Sequence, residues 1–373
     1  MKTYKFKLYK TKKQKHLHKQ VDVAGLVYNH FIAIHKCYYR LFGKYPSKFN
    51  LQRHLTKLKR QQRFTHWSLV GSQALQNIII RIDFGYQKLF KQENKRAPTF
   101  RKLCNFKSFT LTQSGWRLND DGSIIIGKHK YKYFNSQEVQ GTPKLMHVKR
   151  DTLGDFYIFI ITDHEEPQPS IPQSSNSAGF DFGLKTFLTS SEDEKITSPQ
   201  FFKQGSNELA KAQRVLSRKK RGSKSRKQAV KQVARVHKQI TARRADWHWK
   251  TAKSLAKEHG LICIEDLNIK GMKAMWGRKV SDIGFYSFVL KLQHQCDKYG
   301  SILHKIDRWF PSTKTCSGCG QQHDMPIVKR TMLCGCGIDM DRDLNAAINI
   351  KREGMSSLGL GTVSRTLCSA RTA

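Results

Sequence analysis

The chain has 373 residues, enough for two or three domains, and its 68 Lys and Arg against 28 Asp and Glu give a formal net charge of +40. So large a positive excess predicts a polyanionic partner, in practice nucleic acid, and makes a membrane surface the weaker alternative. The sequence contains no run of 18 or more apolar residues, which is the length needed to span a bilayer. The basic N-terminus lacks an apolar signal core and most of the nine cysteines are scattered, so we expect a reducing, cytoplasmic compartment.

The first part of the chain changes from a strand-like to a helix-like pattern and back. Residues 4–9 alternate apolar and basic side chains and predict a strand, whereas residues 14–95 carry apolar side chains at helical spacing. Beyond Pro98, glycine turns separate four runs rich in apolar or β-branched residues, namely residues 106–112, 123–126, 145–148 and 156–162. The pattern predicts a small β-barrel or sandwich that includes the first strand, with the helices as an insertion.

The second half predicts an α/β domain with isolated carboxylates near strand ends. A Pro- and Ser-rich linker, residues 165–177, precedes an apolar strand that carries Asp181. A later apolar strand, residues 261–267, contains Glu265. An isolated acid in an apolar run is costly unless it is paired or binds a cation. Either residue could instead form a turn or a helix cap, and the pattern leaves both interpretations open.

Residues 207–260 predict a helical hairpin that is broken near Gly222. From Arg214 to Arg244 the chain is rich in Lys and Arg and contains no Asp or Glu, while an apolar stripe indicates that the helix packs on something. A solvated face is the ordinary explanation of a charge run, but an unbroken one repels itself. We therefore expect phosphate contacts here. The residues expected to make them are Arg218, Lys219, Lys220, Arg221, Lys224, Arg226 and Lys227.

Two close cysteine pairs predict a zinc ribbon. Cys316 and Cys319 form the first pair, and Cys334 and Cys336 form the second, which has one intervening residue where ribbons usually have two. Zinc takes about four thiolates at roughly 2.3 Å, and two tight turns supply that geometry. Residues 321–333 are long enough for a short hairpin between the pairs. The alternative is four unligated thiols.

Two aspartates, Asp341 and Asp343, flank Arg342 at the start of a predicted helix, residues 344–352. Acidic residues are scarce in this chain, so a carboxylate here is a candidate ligand for a hard cation. The alternative is that Asp343 caps the helix by accepting hydrogen bonds from free backbone amides. Residues 354–373 are rich in Ser, Gly and Thr and predict a disordered tail.

Three carboxylates, Asp181, Glu265 and Asp343, thus recur at the ends of predicted elements. With a helix at residues 282–299 and a strand at residues 301–306, the order strand–strand–helix–strand–helix–strand is consistent with an RNase H-like sheet. In such a site carboxylates hold two Mg²⁺ about 3.5–4 Å apart, and a positive surface holds the phosphodiester substrate. The fold class predicted is α/β with an additional β-barrel and helical lobe.

The chain resembles the TnpB family, which small bacterial insertion sequences carry and which is related to the type V CRISPR effectors. The resemblance rests on residues 179–185, 216–223, 264–268, 310–320 and 341–350, in this order and spacing. It implies an RNA-guided DNA endonuclease whose guide RNA derives from the transposon end and pairs with target DNA, while the protein reads a short flanking motif. It also implies a nucleoid-associated bacterial protein that acts beside a separate transposase.

Carried over residue by residue, the resemblance makes Asp181, Glu265 and Asp343 the Mg²⁺-binding catalytic acids, with Asp341 as the fallback for the third. It places Arg330 near substrate phosphate. The implied domains are a wedge β-barrel with an inserted helical recognition lobe, and a RuvC nuclease domain with an inserted zinc ribbon. Their boundaries are 1–13 and 100–172 (wedge), 14–99 (lobe), 173–313 and 339–353 (RuvC), 314–338 (ribbon) and 354–373 (tail).

Two further hypotheses compete with a nuclease. A guide-directed DNA-binding repressor that does not cut would lose at least one of the three acids, and all three are present here. A self-sufficient transposase that joins DNA strands is disfavoured because the family is thought to be accessory to a separate transposase.

Overall fold

A computed structural model describes residues 1–93, 96–164, 174–326 and 328–360. The chain divides into two compact units, Met1–Glu166 and Pro167–Ala373. Most of the predicted linker at residues 165–177 lies outside the described residues, and so do residues 361–373 of the predicted tail.

Helices occupy much of the first unit, where helical periodicity predicted them. They are α1 (Gln14–Phe42), α2 (Lys48–Arg60) and α3 (Ser72–Phe90), with a 3₁₀ segment at Gln62–Leu69. The apolar faces of α2 and α3 are buried in one hydrophobic core that α1 also enters. Helical periodicity thus identified the faces that pack, because residues three or four positions apart lie on one side of a helix.

The strands of the first unit form two sheets. They are β1 (Lys2–Lys7), β2 (Ser108–Leu111), β3 (Trp116–Asn119), β4 (Ser123–Ile126), β5 (His129–Lys132), β6 (Pro143–Arg150) and β7 (Phe156–Thr162). One sheet has the order β1-β7-β6-β2 and the other β3-β4-β5, and a bridge between Leu8 and Tyr133 links them. Because β1 pairs with β7, the helices are an insertion between strands of one sheet, as predicted.

The second unit is built on a five-stranded sheet. Its strands are β8 (Ser177–Asp181), β9 (Leu188–Ser190), β10 (Lys195–Ile196), β11 (Leu261–Glu265) and β12 (Ile302–Ile306). Their spatial order is β10-β9-β8-β11-β12. Strands β8, β11 and β12 are parallel, whereas β9 is antiparallel to both of its neighbours. The carboxyl ends of the three parallel strands therefore meet at one edge.

The remaining elements of this unit are α4 (Phe201–Ser217), α5 (Lys224–Glu258), α6 (Ile269–Ile283), α7 (Phe285–Tyr299), β13 (Thr331–Leu333), β14 (Asp339–Asp341) and α8 (Arg342–Ser357). The predicted break near Gly222 is confirmed between α4 and α5. The sequence prediction missed α6, and Gly284 separates it from α7 with a φ of 69°. Helix α8 runs through the predicted start of the tail at residue 354, so that boundary was wrong.

Helices cover both faces of the five-stranded sheet. Residues of α5 and α7 form a core with Ala178, Phe180, Ile262 and Ile264 on one face. On the other face α8 packs over β8, β11 and β12. A side chain on Gly179 would collide with the backbone of α8 at Ala347 and Lys351, so glycine permits this close approach.

Candidate active site

Strand alternation places Asp181 and Glu265 on the same face of the sheet. Along β11, Ile262 and Ile264 enter the core beneath α5 and α7, so Glu265 points to the opposite face, where α8 lies. In β8, Phe180 enters that same core, and Asp181 therefore also points toward α8. Both acids end parallel strands that are hydrogen-bonded neighbours.

The third acid comes from the first turn of α8. Asp341 is the residue that caps this helix, since its side chain accepts a hydrogen bond from the Asp343 amide at 2.8 Å. Asp341 also lies 3.5 Å from the Lys195 ammonium. The hypothesis that Asp343 is the cap is therefore wrong. Asp343 is instead free to line a cavity with Asp181 and Glu265.

This cavity is lined by the three acids, by Asp282 and by five basic residues. The basic residues that line it are Lys185, Lys203, Lys279, Arg330 and Arg342. Arg330, expected near substrate phosphate, thus lies in the same cavity as the acids. Carboxylates beside basic side chains could accommodate a polyanion together with bound cations, because oxygen ligands suit hard cations and basic side chains attract phosphates.

Burial disfavours the ionised forms of Asp181 and Glu265. Asp181 is 8% exposed, and its burial, followed by the charges of Glu265 and Asp343, raises its pKa to about 8. Burial also raises the pKa of Glu265, against a hydrogen bond from Ser312 that lowers it. Arg342 lowers the pKa of Asp181 and lies 3.4 Å from the Asp343 carboxylate. A divalent cation would relieve this repulsion by neutralising the carboxylates.

The four cysteines form a cluster that could hold a metal ion, because their sulfurs all lie within 4.8 Å of one another. Within the described part of the chain, no other group of three or more His, Cys, Asp or Glu side chains brings its ligand atoms that close. The Cys316 and Cys336 sulfurs are 3.6 Å apart, and those of Cys319 and Cys334 are 3.5 Å apart. A tetrahedral site with Zn–S bonds of about 2.3 Å needs sulfurs roughly 3.8 Å apart, so the cysteines fit zinc. The three carboxylates share their cavity at a wider spacing.

The ribbon hairpin turns at the second cysteine pair, and only its first strand, β13, lies in the segment of residues 321–333 that was expected to be long enough for a hairpin. Strands β13 and β14 are antiparallel and flank the second pair, and the Cys334 amide donates to the Ile338 carbonyl at 2.9 Å across their turn. The hairpin turn thus accommodates the shortened spacing of this pair. Burial by itself would raise the pKa of the Cys316 thiol. Hydrogen bonds from the Cys319 and Gly318 amides outweigh burial and lower this pKa to about 7.

The α4–α5 turn presents the predicted nucleic-acid-binding residues, which we call the basic turn (residues 218–227). Its exposed members are Arg218, Lys219, Lys220, Arg221, Lys224 and Lys227. Arg226 differs, because its guanidinium donates to the carbonyls of Leu216 and Lys219, both at 3.0 Å. Ser223 caps α5 by accepting from the Arg226 amide. Arg226 therefore stabilises the turn that presents the other cations.

Sequence reasoning assigned no role to three buried polar residues, of which Ser312 donates a hydrogen bond to Glu265. Ser312, Asn345 and Asn349 are almost fully buried, and they lie in the segments at residues 310–320 and 341–350. Asn345 and Asn349 are four residues apart and therefore share one face of α8, but nothing in the sequence indicates which segment they contact.

Comparison with known proteins gives two family matches. The model described as "Probable transposase" matches residues 159–275, and the one described as "Cas12f1-like, TNB domain" matches residues 285–350. The chain also resembles the solved "Cryo-EM structure of the Cas12f1-sgRNA-target DNA complex" with a TM-score of 0.59, at 14% identity over 91% of this chain and 83% of the other. The two proteins therefore share a fold.

In the described ranges no helix is both long and apolar enough to cross a membrane.

Curated relatives cover most of the chain. A protein of Streptomyces pristinaespiralis described as "Putative RNA-guided DNA endonuclease" is 29% identical over 96% of this chain and 90% of its own length. "Putative RNA-guided DNA endonuclease InsQ" of Escherichia coli K12 is 27% identical over 78% of this chain and 76% of its own. "TnpB-like protein L79" of Acanthamoeba polyphaga mimivirus is 30% identical over 51% of this chain and 39% of its own. The chain is therefore similar over most of its length to putative RNA-guided DNA endonucleases, and over about half of its length to a TnpB-like protein.

Proposed function

We propose that the chain is an RNA-guided DNA endonuclease of an insertion sequence, which cuts DNA next to a short flanking motif. The observation that carries this proposal is the cavity that Asp181, Glu265 and Asp343 line together with five basic residues. The names of the relatives from Streptomyces pristinaespiralis and Escherichia coli support the same activity.

In the proposed reaction, Asp181, Glu265 and Asp343 would hold two Mg²⁺. The chemistry that the bound ions would supply is activation of the attacking water and stabilisation of the leaving oxygen of the phosphodiester. The three acids supply hard oxygen ligands, which is the ligand type that Mg²⁺ prefers. Arg330 and Arg342 contact substrate phosphate and offset the charge of the acids. The four cysteines hold a structural zinc that fixes the ribbon.

The architecture supports an RNase H-like nuclease domain. A sheet in which three parallel strands are extended by the antiparallel pair β9–β10, with helices on both faces, brings acids from distant segments together near the carboxyl ends of β8 and β11. We assign the sheets of the first unit to the wedge, α1–α3 to the recognition lobe, and the second unit to the RuvC domain with its inserted ribbon. In this proposal the basic turn contacts guide RNA or DNA phosphates, and a separate transposase moves the element.

The test is plasmid cleavage by the protein purified with its RNA. A library of flanking motifs beside a guide-matched target, supplied with Mg²⁺, should be cut next to one motif. Asp181→Ala should abolish cutting while RNA and target binding persist. Binding without cutting by the unmodified protein would support the repressor hypothesis instead, and cleavage that is unchanged in Asp181→Ala would refute the mechanism.

A further inference from the structure

Helix α8 is clamped onto the segment that leads into the zinc ribbon, residues 312–317, which we call the strap. Asn349 donates from Nδ2 to the Ser312 and Thr315 carbonyls, at 2.8 and 2.6 Å. Asn345 donates to the Thr315 carbonyl at 2.7 Å and accepts from the Ser317 amide at 2.8 Å. The strap is thus held by side chains of one helix face along nearly its whole length.

Each end of the strap reaches a candidate metal site. At its start, the Ser312 hydroxyl donates to Glu265 Oε1. At its end, Cys316 is one of the four clustered thiols. Ser312 is only 3% exposed, so water does not compete for this hydrogen bond.

The helix that clamps the strap also carries the third acid, Asp343, in its first turn. A continuous path of contacts therefore runs from Glu265 through Ser312 and Asn349 into α8 and along one helix to Asp343. Glu265 and Asp343 lie far apart in the sequence, and this path ties them together on the α8 side of the sheet. Ligand groups of a metal site are commonly oriented by such hydrogen-bonded neighbours.

Burial explains why the clamp uses asparagine. Asn345 is 0% and Asn349 is 4% exposed, and a buried amide without partners is costly. Here both are satisfied by the strap, so the strap has one favourable position relative to α8. A loose strap would leave buried amides unpaired and would move Ser312 away from Glu265.

We propose that Ser312 and Asn349 are positioning residues that set the geometry of Glu265 relative to Asp343 for divalent cation binding, and that they couple the ribbon to this site. The inference rests on the proposed function, because it assumes that these acids bind Mg²⁺. Neither residue ligates the cation; Ser312 orients a ligand, and Asn349 holds the backbone that carries Ser312.

The decisive variant is Ser312→Ala, which removes one oxygen atom and leaves the clamp intact. The measurement is the rise in melting temperature of the full-length protein as Mg²⁺ is added without target DNA. We expect the Mg²⁺ concentration for half of the rise to increase about tenfold. The Mg²⁺ concentration for half-maximal cleavage should increase by a similar factor, while the zinc content stays near the unmodified value.

Ser301→Ala is the matched control. Ser301 is also buried, and its hydroxyl donates to the Ala256 carbonyl at 2.6 Å, near the other end of the sheet. This variant should lower the melting temperature without changing the half-saturating Mg²⁺ concentration. Asn349→Ala should raise that concentration as Ser312→Ala does. If it folds too poorly to measure, Ser312→Ala decides alone.

The inference is overturned if Ser312→Ala and Ser301→Ala give the same half-saturating Mg²⁺ concentration as the unmodified protein. The proposed function itself would be overturned if the unmodified protein showed no Mg²⁺-dependent rise in melting temperature and no Mg²⁺-dependent cleavage.

Discussion

The carboxylate of Asp341 accepts a hydrogen bond from the backbone amide of Asp343 at 2.8 Å, so the two aspartates that flank Arg342 have separate roles. Asp341 caps α8 beside Lys195, and Asp343 faces the cavity that Asp181 and Glu265 also line. The cap fixes the first turn of the helix, and thereby the position from which Asp343 reaches the other two acids.

These roles predict opposite phenotypes for the same substitution. Asp343→Asn should lower cleavage by at least about 100-fold with little loss of stability, because it removes a charged ligand. Asp341→Asn should leave cleavage nearly unchanged, because asparagine caps helices about as well as aspartate. Asp341→Ala should lower the free energy of unfolding by about 1 kcal/mol. Cleavage rates and melting temperatures of the three variants check this, and loss of cleavage in Asp341→Asn alone would reverse the assignment.

From the cysteine cluster we predict that the ribbon requires bound zinc in order to fold. Cys319→Ser should lower the zinc content below one ion per chain and reduce the melting temperature, since a structural zinc contributes its binding free energy to folding. Elemental analysis and thermal unfolding are the measurements. Cys37→Ser, at an exposed free cysteine, is the control. Full zinc occupancy in Cys319→Ser would contradict a four-cysteine site.

The basic turn predicts a salt-dependent contact with the nucleic-acid backbone. We expect a weaker salt dependence of guide-RNA binding when glutamine replaces Arg218, Lys219, Lys220 and Arg221. The slope of log affinity against log salt concentration should decrease in magnitude by up to about 3 if all four side chains neutralise phosphates. Binding isotherms at four salt concentrations would measure the slope. A charge-conserving control exchanges each arginine for lysine and each lysine for arginine, and should keep the original slope. Parallel lines for the glutamine variant would show that this turn does not contact RNA.

His35 predicts a loss of stability in mild acid. It is 1% exposed and stacks on Tyr86 with ring centroids 4.6 Å apart, and burial lowers its pKa from 6.5 to about 4. Between those values the unfolded chain binds more protons than the folded one, so stability falls as the pH decreases from 6.5 to 4. The contribution of His35 to this fall is at most about 3 kcal/mol.

His35→Phe should therefore flatten the dependence of the melting temperature on pH across this window, because phenylalanine keeps the ring packing and cannot bind a proton. His66→Phe replaces an exposed histidine of the same unit and serves as the control. Equal slopes for the two variants would show that His35 does not cause the acid sensitivity.

Sequence patterns predicted most of the elements and their order. Helical spacing predicted the helical block, residues 14–95, that contains α1 to α3. The alternation of residues 4–9 predicted a first strand that belongs to the β-sheet of the later strands. Missed elements were short or lacked periodicity: α6 is kinked at Trp276, and β3 and β5 are strands of four residues each. Propensity is weak over such lengths, and tertiary contacts decide the outcome.

The sequence by itself determined the chemistry of this protein: scarce acids in an intensely basic chain, four cysteines in two pairs, and family motifs in a specific order. Only the tertiary structure decided which acid does what. Local sequence makes Asp341 and Asp343 nearly equivalent, and their difference arises because one accepts a backbone amide while the other faces a sheet edge formed by distant strands. The same holds for Ser312 and Asn349, since hydrogen bonds between distant segments depend on packing and leave no local pattern.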